Sequence, residues 1–150
     1  MTNKERKAMQ TFLPYESFEE TARVLDRQRL GKQRVEAYQI LLTNLKVKAA
    51  EPGSKIAWSR HPAVVMWRGY EKTLCEYGIV ICEEWIRRGY KDSLKERFVL
   101  FRDEFKDQEV IPFWLGDDRL HASHKSKLMQ KNAALYSFAI PKDLEYFWPL

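Results

Sequence analysis

The amino-acid sequence predicts a mainly α-helical protein, a single compact domain built around about three principal helices with long irregular connections. Apolar residues recur at helical spacing in three long segments, which begin near residues 17, 61 and 120. Alternating apolar and polar residues, the pattern of strands, are scarce. The chain has 150 residues, of which 45% are hydrophobic, and this is enough to bury one sizeable core.

The first helix is predicted to begin at Ser17. Pro14 disfavours a helix before it, and Ser-Phe-Glu-Glu is a capping box in which the Ser17 hydroxyl serves a free backbone amide and Glu20 reaches back. One stripe at helical spacing then runs from Phe18 to Leu45, as expected of a single long helix. Residues 1–8 are predicted to form a flexible tail, and residues 9–150 to form the domain.

The second helix is predicted to run from His61 to Arg88 and to end at Gly89. Its apolar positions are spread widely around the helix, so we expect it to be the central and best-buried one. Cys75 and Cys82 lie on it about 10 Å apart along the axis, which is too far for a disulfide. They are therefore predicted to be two reduced core thiols.

The last third of the chain is less regular. Residues 91–116 mix a short helix with a turn at Pro112 and Gly116, and a third principal helix is predicted within residues 120–138. Residues 143–150 form an aromatic tail. The sequence contains no internal repeat and no low-complexity tract.

Charge and hydropathy narrow the class of protein. Lys and Arg total 26 against 21 acidic residues, for a net charge of +5 and an isoelectric point near 9.2, which favours polyanionic partners without requiring them. No run of about 18 apolar residues is present, and the first ten residues are polar where a secretory signal needs an apolar core. We expect a cytoplasmic protein without a membrane partner.

The stripe of the first helix is interrupted by polar residues. Its two ends are apolar, but its middle is occupied by Arg29, Gln33 and Glu36. An unpaired carboxylate in a dry core costs several kcal/mol, so Glu36 must be ion-paired, hydrated or turned toward a cleft.

Two interpretations of this interruption remain open on the residues alone. Four cations surround Glu36 in the sequence: Arg27, Arg29, Lys32 and Arg34. They can form a solvated, ion-paired stretch, or they can line a cleft in which the excess positive charge binds phosphate. Gly31 favours the second interpretation, because a mid-helix glycine costs about 1 kcal/mol relative to alanine and often marks the close approach of a backbone or ligand.

These residues belong to a wider set that carries a family resemblance. Six segments occur together: TFLPY, LDRQRLGKQRVEA, RHPAVVMWRGYE, WIRRGY, LHASHKSKL and YFWP. With them the chain resembles the pyrimidine-dimer DNA glycosylase family, typified by a phage endonuclease V, and most of all its small bacterial relatives. The resemblance covers roughly residues 9–150. Matches to the phage-type pattern are Leu25, Gln28, Arg29, Leu30, Glu36 and the sequence Arg88-Gly89-Tyr90.

The resemblance implies an enzyme. It implies a DNA glycosylase, with or without AP-lyase activity, that excises a damaged or modified pyrimidine from double-stranded DNA in base excision repair or in the processing of modified phage DNA. It implies a monomer without a cofactor, and Glu36 as the carboxylate that stabilises the developing sugar cation. A nucleic-acid binding domain without catalytic activity is the alternative, in which Glu36 only pairs with arginines.

The nucleophile is the least determined part of this implied mechanism. In the phage enzyme it is the α-amino group of a terminal threonine, which corresponds here to Thr2 if Met1 is removed and residues 1–8 fold back. Water activated by Glu36 and the amine of Lys32 are two alternatives, and loss of activity is a third. A native start at Met9 instead of Met1 would leave Gln10 second, which blocks removal of the methionine.

Further side chains are predicted to contact DNA. The predicted phosphate and base contacts are Arg27, Arg29, Lys32, Arg34, His61, His121, Ser123, His124, Lys125, Lys127 and Trp148. His61 has a second interpretation as a helix cap. The motif LHASHKSKL is expected to bind phosphate at a helix start, and no metal is expected because no carboxylate or cysteine cluster completes a site. Among the aromatic candidates for stacking, Trp67, Trp114, Tyr146 and Trp148, we expect Trp67 to be core.

Overall fold

The computed structural model describes residues 9–150 and contains six α-helices in that range. They are α1 (Phe18–Val24), α2 (Arg27–Ala49), α3 (Pro62–Val65), α4 (Glu71–Arg87), α5 (Lys95–Glu104) and α6 (Asp118–Lys131). No strand occurs within residues 9–150, which confirms the mainly α fold class. In the same range, no helix combines the length and apolar character that a membrane crossing requires.

The first predicted helix is in fact two helices. Ser17 caps α1 as expected, since its hydroxyl accepts a hydrogen bond from the backbone amide of Glu20 at 3.2 Å. The stripe then breaks at Leu25, where the backbone is extended, and Asp26 caps α2 by accepting from the amide of Arg29. The prediction of one continuous helix was wrong because Asp26 serves as a new N-cap instead of as a residue on the helix surface.

The second predicted helix is also broken. A single turn, α3, follows His61, and the chain then turns at Gly69, whose φ of 89° is in the left-handed region. The helix restarts as α4 and ends before Gly89, which has a φ of 98° and stops the helix as predicted.

Helix α4 is the centre of the core, as the sequence predicted. Leu74, Tyr77 and Ile81 are fully buried on it, and it packs against α1, α2 and α5. Gly78 permits the contact with α5, because a Cβ atom at this position would lie 2.5 Å from the ring of Phe98. Cys75 and Cys82 are buried and free, in agreement with the predicted core thiols.

Residues 9–13, which we call the N-terminal segment, lie buried between α2 and α6. Their backbone groups are satisfied by side chains instead of by a helix or a sheet. Gln33 of α2 accepts from the amide of Phe12 at 2.8 Å and donates to the carbonyl of Gln10 at 2.9 Å. The hydroxyl of Tyr77 donates to the carbonyl of Phe12, also at 2.8 Å. The structure thus accounts for Gln33 in the interrupted stripe, since it anchors a second piece of backbone inside the core.

Candidate active site

An open cleft of about 1040 Å³ runs along the N-terminal half of α2. One wall is α2 itself, from Arg27 to Gln39, and the others are formed by Met9 of the N-terminal segment, by Trp58 and by Trp85 of α4. This volume is at the upper end of what small-molecule sites enclose, so a nucleotide unit fits within it. Glu36 lines the cleft.

The carboxylate of Glu36 is held by amide groups. Its Oε2 accepts from the backbone amide of Gln10 at 3.0 Å and lies 3.5 Å from the side-chain amide of Gln33. Burial raises the pKa of Glu36 above its ordinary value, and the Gln10 amide with the charges of Lys32, Arg29 and Lys131 offsets only part of that effect. Within residues 9–150, no arginine or lysine is in salt-bridge contact with Glu36. The result is a poorly hydrated carboxylate that faces open space.

The four cations predicted around Glu36 differ in their positions and in their partners. Arg27 and Lys32 are exposed and line the cleft, where they can reach phosphates. Arg29 is half-buried over the ring of Phe12. Arg34 donates to Asp92 from Nε at 2.8 Å and from Nη2 at 2.5 Å. The structure therefore argues against the DNA-binding role predicted for Arg34, because its guanidinium is committed to an internal ion pair.

Gly31 and Trp85 form one contact at the cleft. A Cβ atom on Gly31 would lie 3.0 Å from the Trp85 ring, so the close approach predicted at this glycine comes from a side chain and not from a backbone or a ligand. Arg34 lies over the Trp85 ring at 4.9 Å, Tyr90 packs on it at 4.3 Å, and its indole N–H donates to the carbonyl of Lys91. Trp85 is thus fixed on several sides.

The motif LHASHKSKL does not form a phosphate site at a helix start, which corrects the prediction for His121, Ser123 and His124. Helix α6 begins at Asp118, so His121 closes its first turn while Ser123 and His124 lie in its second, and the three residues are only 7%, 2% and 0% exposed. His121 donates from Nδ1 to the carbonyl of Leu13, and Nδ1 of His124 accepts from the amide of Leu13 at 2.8 Å. Burial lowers the pKa of His124 to about 3, so this imidazole stays neutral and cannot attract a phosphate by charge.

The two lysines of the same motif are half-buried against aromatic rings. Lys125 lies 4.9 Å from the ring of Tyr15. Lys127 lies 5.1 Å from the ring of Tyr146 and 3.6 Å from the carboxylate of Glu145. Neither lysine lines the cleft.

The aromatic tail contacts His61, the residue that precedes α3. His61 takes the capping role, since its Nδ1 accepts from the amide of Ala63 at 3.0 Å, and its ring meets Trp148 edge to face. Trp148 packs on Tyr146 with ring centroids 5.1 Å apart. Burial raises the pKa of Tyr146 to about 12.

Three residues near the cleft were missed by the sequence analysis: Trp58, Trp85 and Lys131. Burial, followed by the charge of Arg29, lowers the pKa of Lys131, so its amine is easier to deprotonate than an ordinary lysine. Lys131 stands at the end of α6, far from Glu36 in sequence, and no spacing rule connects them. Among the stacking candidates, Trp67 and Trp114 are core, with 0% and 1% exposure. Thr2 lies outside the described residues.

Comparison with known proteins gives one result. A family model described as pyrimidine dimer DNA glycosylase matches residues 9–97, more than half of the chain. No curated protein and no solved structure gave a significant match. The matched range contains the N-terminal segment, Glu36, Trp58 and Trp85, and so includes every residue that lines the cleft.

Proposed function

Because the chain belongs to the pyrimidine dimer DNA glycosylase family, we propose that it excises a damaged or modified pyrimidine from double-stranded DNA and that Glu36 is its catalytic carboxylate. One observation carries this assignment: Glu36 lies in an open cleft, half-buried, with amides for partners and no cation in contact within the described range. A domain that only binds nucleic acid would be better served by a Glu36 enclosed between arginines.

The chemistry assigns a role to each part of the cleft. Cleavage of the N-glycosidic bond sends the bonding electrons to the leaving base, and positive charge develops on C1′ and the ring oxygen of the deoxyribose. A poorly hydrated carboxylate beside this sugar stabilises the cation strongly, since little water screens the attraction. Arg27 and Lys32 contact the flanking phosphates and hold the strand in position.

The nucleophile determines whether a lyase step follows. An amine that attacks C1′ displaces the base, and opening of the C1′–O4′ bond then yields an imine and a free 4′-hydroxyl. The imine permits elimination of the 3′-phosphate, whereas water yields only an abasic site. The amines of Thr2, if Met1 is removed, and of Lys32 remain candidates. The raised pKa of Glu36 favours the water route, because it makes this carboxylate a stronger base. We propose glycosylase activity in every case, and a lyase activity only if an imine forms.

We extend the proposal to the setting of the reaction. Residues 9–150 act as the catalytic domain, in a monomer that works on the nucleoid of a bacterium or on the DNA of a phage-infected cell. No cofactor has a role in the proposed steps. The substrate class is a damaged or modified pyrimidine, whether produced by radiation or introduced deliberately into phage DNA.

One experiment tests the assignment. The full-length protein is incubated with a panel of duplexes that each carry one pyrimidine lesion, with and without borohydride, and the products are separated on denaturing gels. We expect base release from at least one lesion, and loss of that release in Glu36→Gln. A borohydride-stable adduct identifies an amine nucleophile, and its absence with base release identifies water. Equal release by the parent and by Glu36→Gln would remove Glu36 from the mechanism.

A further inference from the structure

We propose that the loop between α2 and α3 is a second DNA-binding surface, which holds the phosphates of the duplex on one side of the reacting nucleotide. This loop comprises residues 50–61, and we call it the α2–α3 loop. The inference rests on the proposed function and deepens it, since it extends the interface with DNA beyond the cleft. Three features of the loop support it: its connection to the cleft, its uncommitted positive charge and its fixed shape.

Two further cavities continue the cleft toward the α2–α3 loop. One, of about 300 Å³, lies between the loop and the C-terminal half of α2, where it is lined by residues from Gln39 to Lys46. The other, of about 740 Å³, is formed by residues 53–61 of the loop itself. Trp58 lines both cavities and also lines the cleft, so the three spaces are adjacent. A continuous depression therefore leads from Glu36 to the loop.

The charged residues that line the two further cavities carry uncommitted positive charge. Lys46 lines the smaller cavity, and Lys55 and Arg60 line the larger one. All three are exposed, and within residues 9–150 their side chains form no salt bridge and no hydrogen bond. The carboxylate of the loop, Glu51, lines neither cavity. A phosphate can therefore approach these cations without breaking an internal ion pair and without meeting a carboxylate in the depression.

The shape of the α2–α3 loop is fixed by the rest of the protein. Trp58 is half-buried and packs against the hydrophobic core. Arg68 donates from Nη2 to the carbonyl of Ser59 at 2.6 Å and from Nε to Oδ1 of Asn44 on α2 at 3.0 Å. The amide of His61 donates to the carbonyl of Trp58 at 2.9 Å. Because the loop is already ordered, binding of DNA loses little conformational entropy there.

The length of α2 gives the distance between the two binding surfaces. Lys46 follows Glu36 by ten residues, so about 15 Å of helix axis separates them. DNA rises about 3.4 Å per base pair, so a duplex that follows the depression from Glu36 reaches Lys46 and the loop after about four base pairs. The α2–α3 loop lies beyond one end of the cleft. Its phosphate contacts are therefore expected on one side of the reacting nucleotide, whereas a solvated loop without a DNA contact would favour neither side.

Removal of charge from both molecules tests this surface. The full-length protein is bound to duplexes that carry one tetrahydrofuran abasic site, which fixes the register and cannot react. In each duplex, one phosphate between three and six base pairs from this site is replaced by an uncharged methylphosphonate, on either side and on either strand. Fluorescence anisotropy compares the parent protein with the double variant Lys55→Ala/Arg60→Ala. The control is Arg23→Ala, which removes an exposed cation outside the cleft.

We expect the double variant to bind the unmodified duplex roughly tenfold more weakly than the parent, with an unchanged melting temperature, since both side chains are exposed. Methylphosphonates on one side of the abasic site should weaken binding of the parent roughly threefold and leave the double variant unaffected, because their partners have already been removed. Arg23→Ala should behave like the parent.

Other outcomes would overturn the assignment. These are equal affinity of the parent and the double variant, equal effects of every methylphosphonate on both proteins, and coupling on both sides of the abasic site. Failure of the parent to bind this duplex would overturn it as well. Coupling on one side in a protein that releases no base from any lesion would contradict the proposed function and leave the second surface in place. Base release without such coupling would do the reverse.

Discussion

Glu36 is held in surroundings that favour its neutral form. Its pKa is raised by burial, so ionisation at neutral pH costs folding free energy, and this cost grows as the pH rises from the unfolded value of 4.5 through the folded one. A carboxyl group kept only for stability would have its pKa lowered by its partners. The buried carboxylate of Glu36 therefore lowers the stability of the fold slightly, as is common for residues of catalytic sites.

The first prediction concerns Glu36→Gln. This change keeps the shape and the hydrogen bond to Gln10 but removes the charge, so the melting temperature at pH 7 should stay equal or rise. Turnover should fall roughly a hundredfold, by analogy with the loss of one preorganised electrostatic group, while DNA affinity is retained or increased. Calorimetry, binding and base-release assays on one preparation measure all three quantities. Early melting, or turnover at the parent rate, would contradict the role of Glu36.

The second prediction concerns Gln33, the neighbour of Glu36. Its replacement by leucine leaves the amide of Phe12, the carbonyl of Gln10 and one bond of the Tyr77 hydroxyl without their partner inside the core. Urea unfolding should show a loss of about 3 kcal/mol, because buried polar groups without partners cost about 1–3 kcal/mol each. The matched control is Gln39→Leu, at an exposed position on the same helix, which should change stability by less than about 0.5 kcal/mol.

At the scale of elements, one arginine joins the end of α4 to the end of α1. Arg88 donates from Nη2 to the carbonyls of Ala22 and Leu25, which the end of α1 leaves without partners. Its Nε donates to Glu84, which also receives two hydrogen bonds from Arg87. The segment WIRRGY is thus explained in part by packing between helices.

The third prediction is a pH dependence from Glu84. The guanidinium of Arg87, and then that of Arg88, hold the pKa of Glu84 down to about 2, against 4.5 when unfolded. A lowered pKa stabilises the fold above pH 4.5, and this contribution disappears as the pH falls from 4.5 toward 2. With allowance for the solvent exposure of Arg87, Glu84→Gln should lose about 2 kcal/mol at pH 7. Urea titrations at several pH values should show parent and variant converging near pH 2.

Sequence patterns predicted the helices better than their breaks. Helical spacing is a local property, so it located α2 and α4, and Gly89 marked an end correctly. The break between α1 and α2 at Asp26 involves Tyr136, which is 110 residues away. Its hydroxyl accepts a hydrogen bond from the backbone amide of Asp26. A capping aspartate and a surface aspartate look alike until that partner is placed.

The same distinction explains which site residues were predictable. The place of Glu36 in a cleft could be predicted because a charge within an apolar stripe is visible in the sequence itself. Trp58 could not be predicted as a cleft residue, because only the folded chain brings its loop next to α2. His121 and His124 were assigned to phosphate although, with Leu128, they follow the i, i+3, i+7 spacing of a buried face, and that signal was present.

For the whole molecule, the fourth prediction is the salt dependence of DNA binding. Each phosphate contact adds about 0.9 to the slope of log affinity against log salt concentration. Lys32 is exposed in the cleft, so Lys32→Ala should lower that slope by about one contact; Arg23, exposed on α1 outside the cleft, provides the control. Fluorescence anisotropy from low to physiological salt measures both. If the affinity of the parent protein did not change with salt concentration, nucleic acid would not be its ligand. If changes at Lys32 and Arg23 gave equal slopes, the contact surface would not be the cleft.

The hydrogen bonds of the N-terminal segment also determine when the protein can fold during its synthesis. The backbone of Leu13 is bound by His121 and His124, which a ribosome adds 108 and 111 residues later. The N-terminal segment positions the amide of Gln10 beside Glu36, and until α6 has been made it has no hydrogen-bond partners on one side. The entropy lost in fixing this segment against the rest of the chain is then not yet offset. A nascent chain that already contains the entire family-matched region therefore still lacks the partners of Leu13, and we expect the N-terminal segment beside Glu36 to become fixed only after α6 has been made.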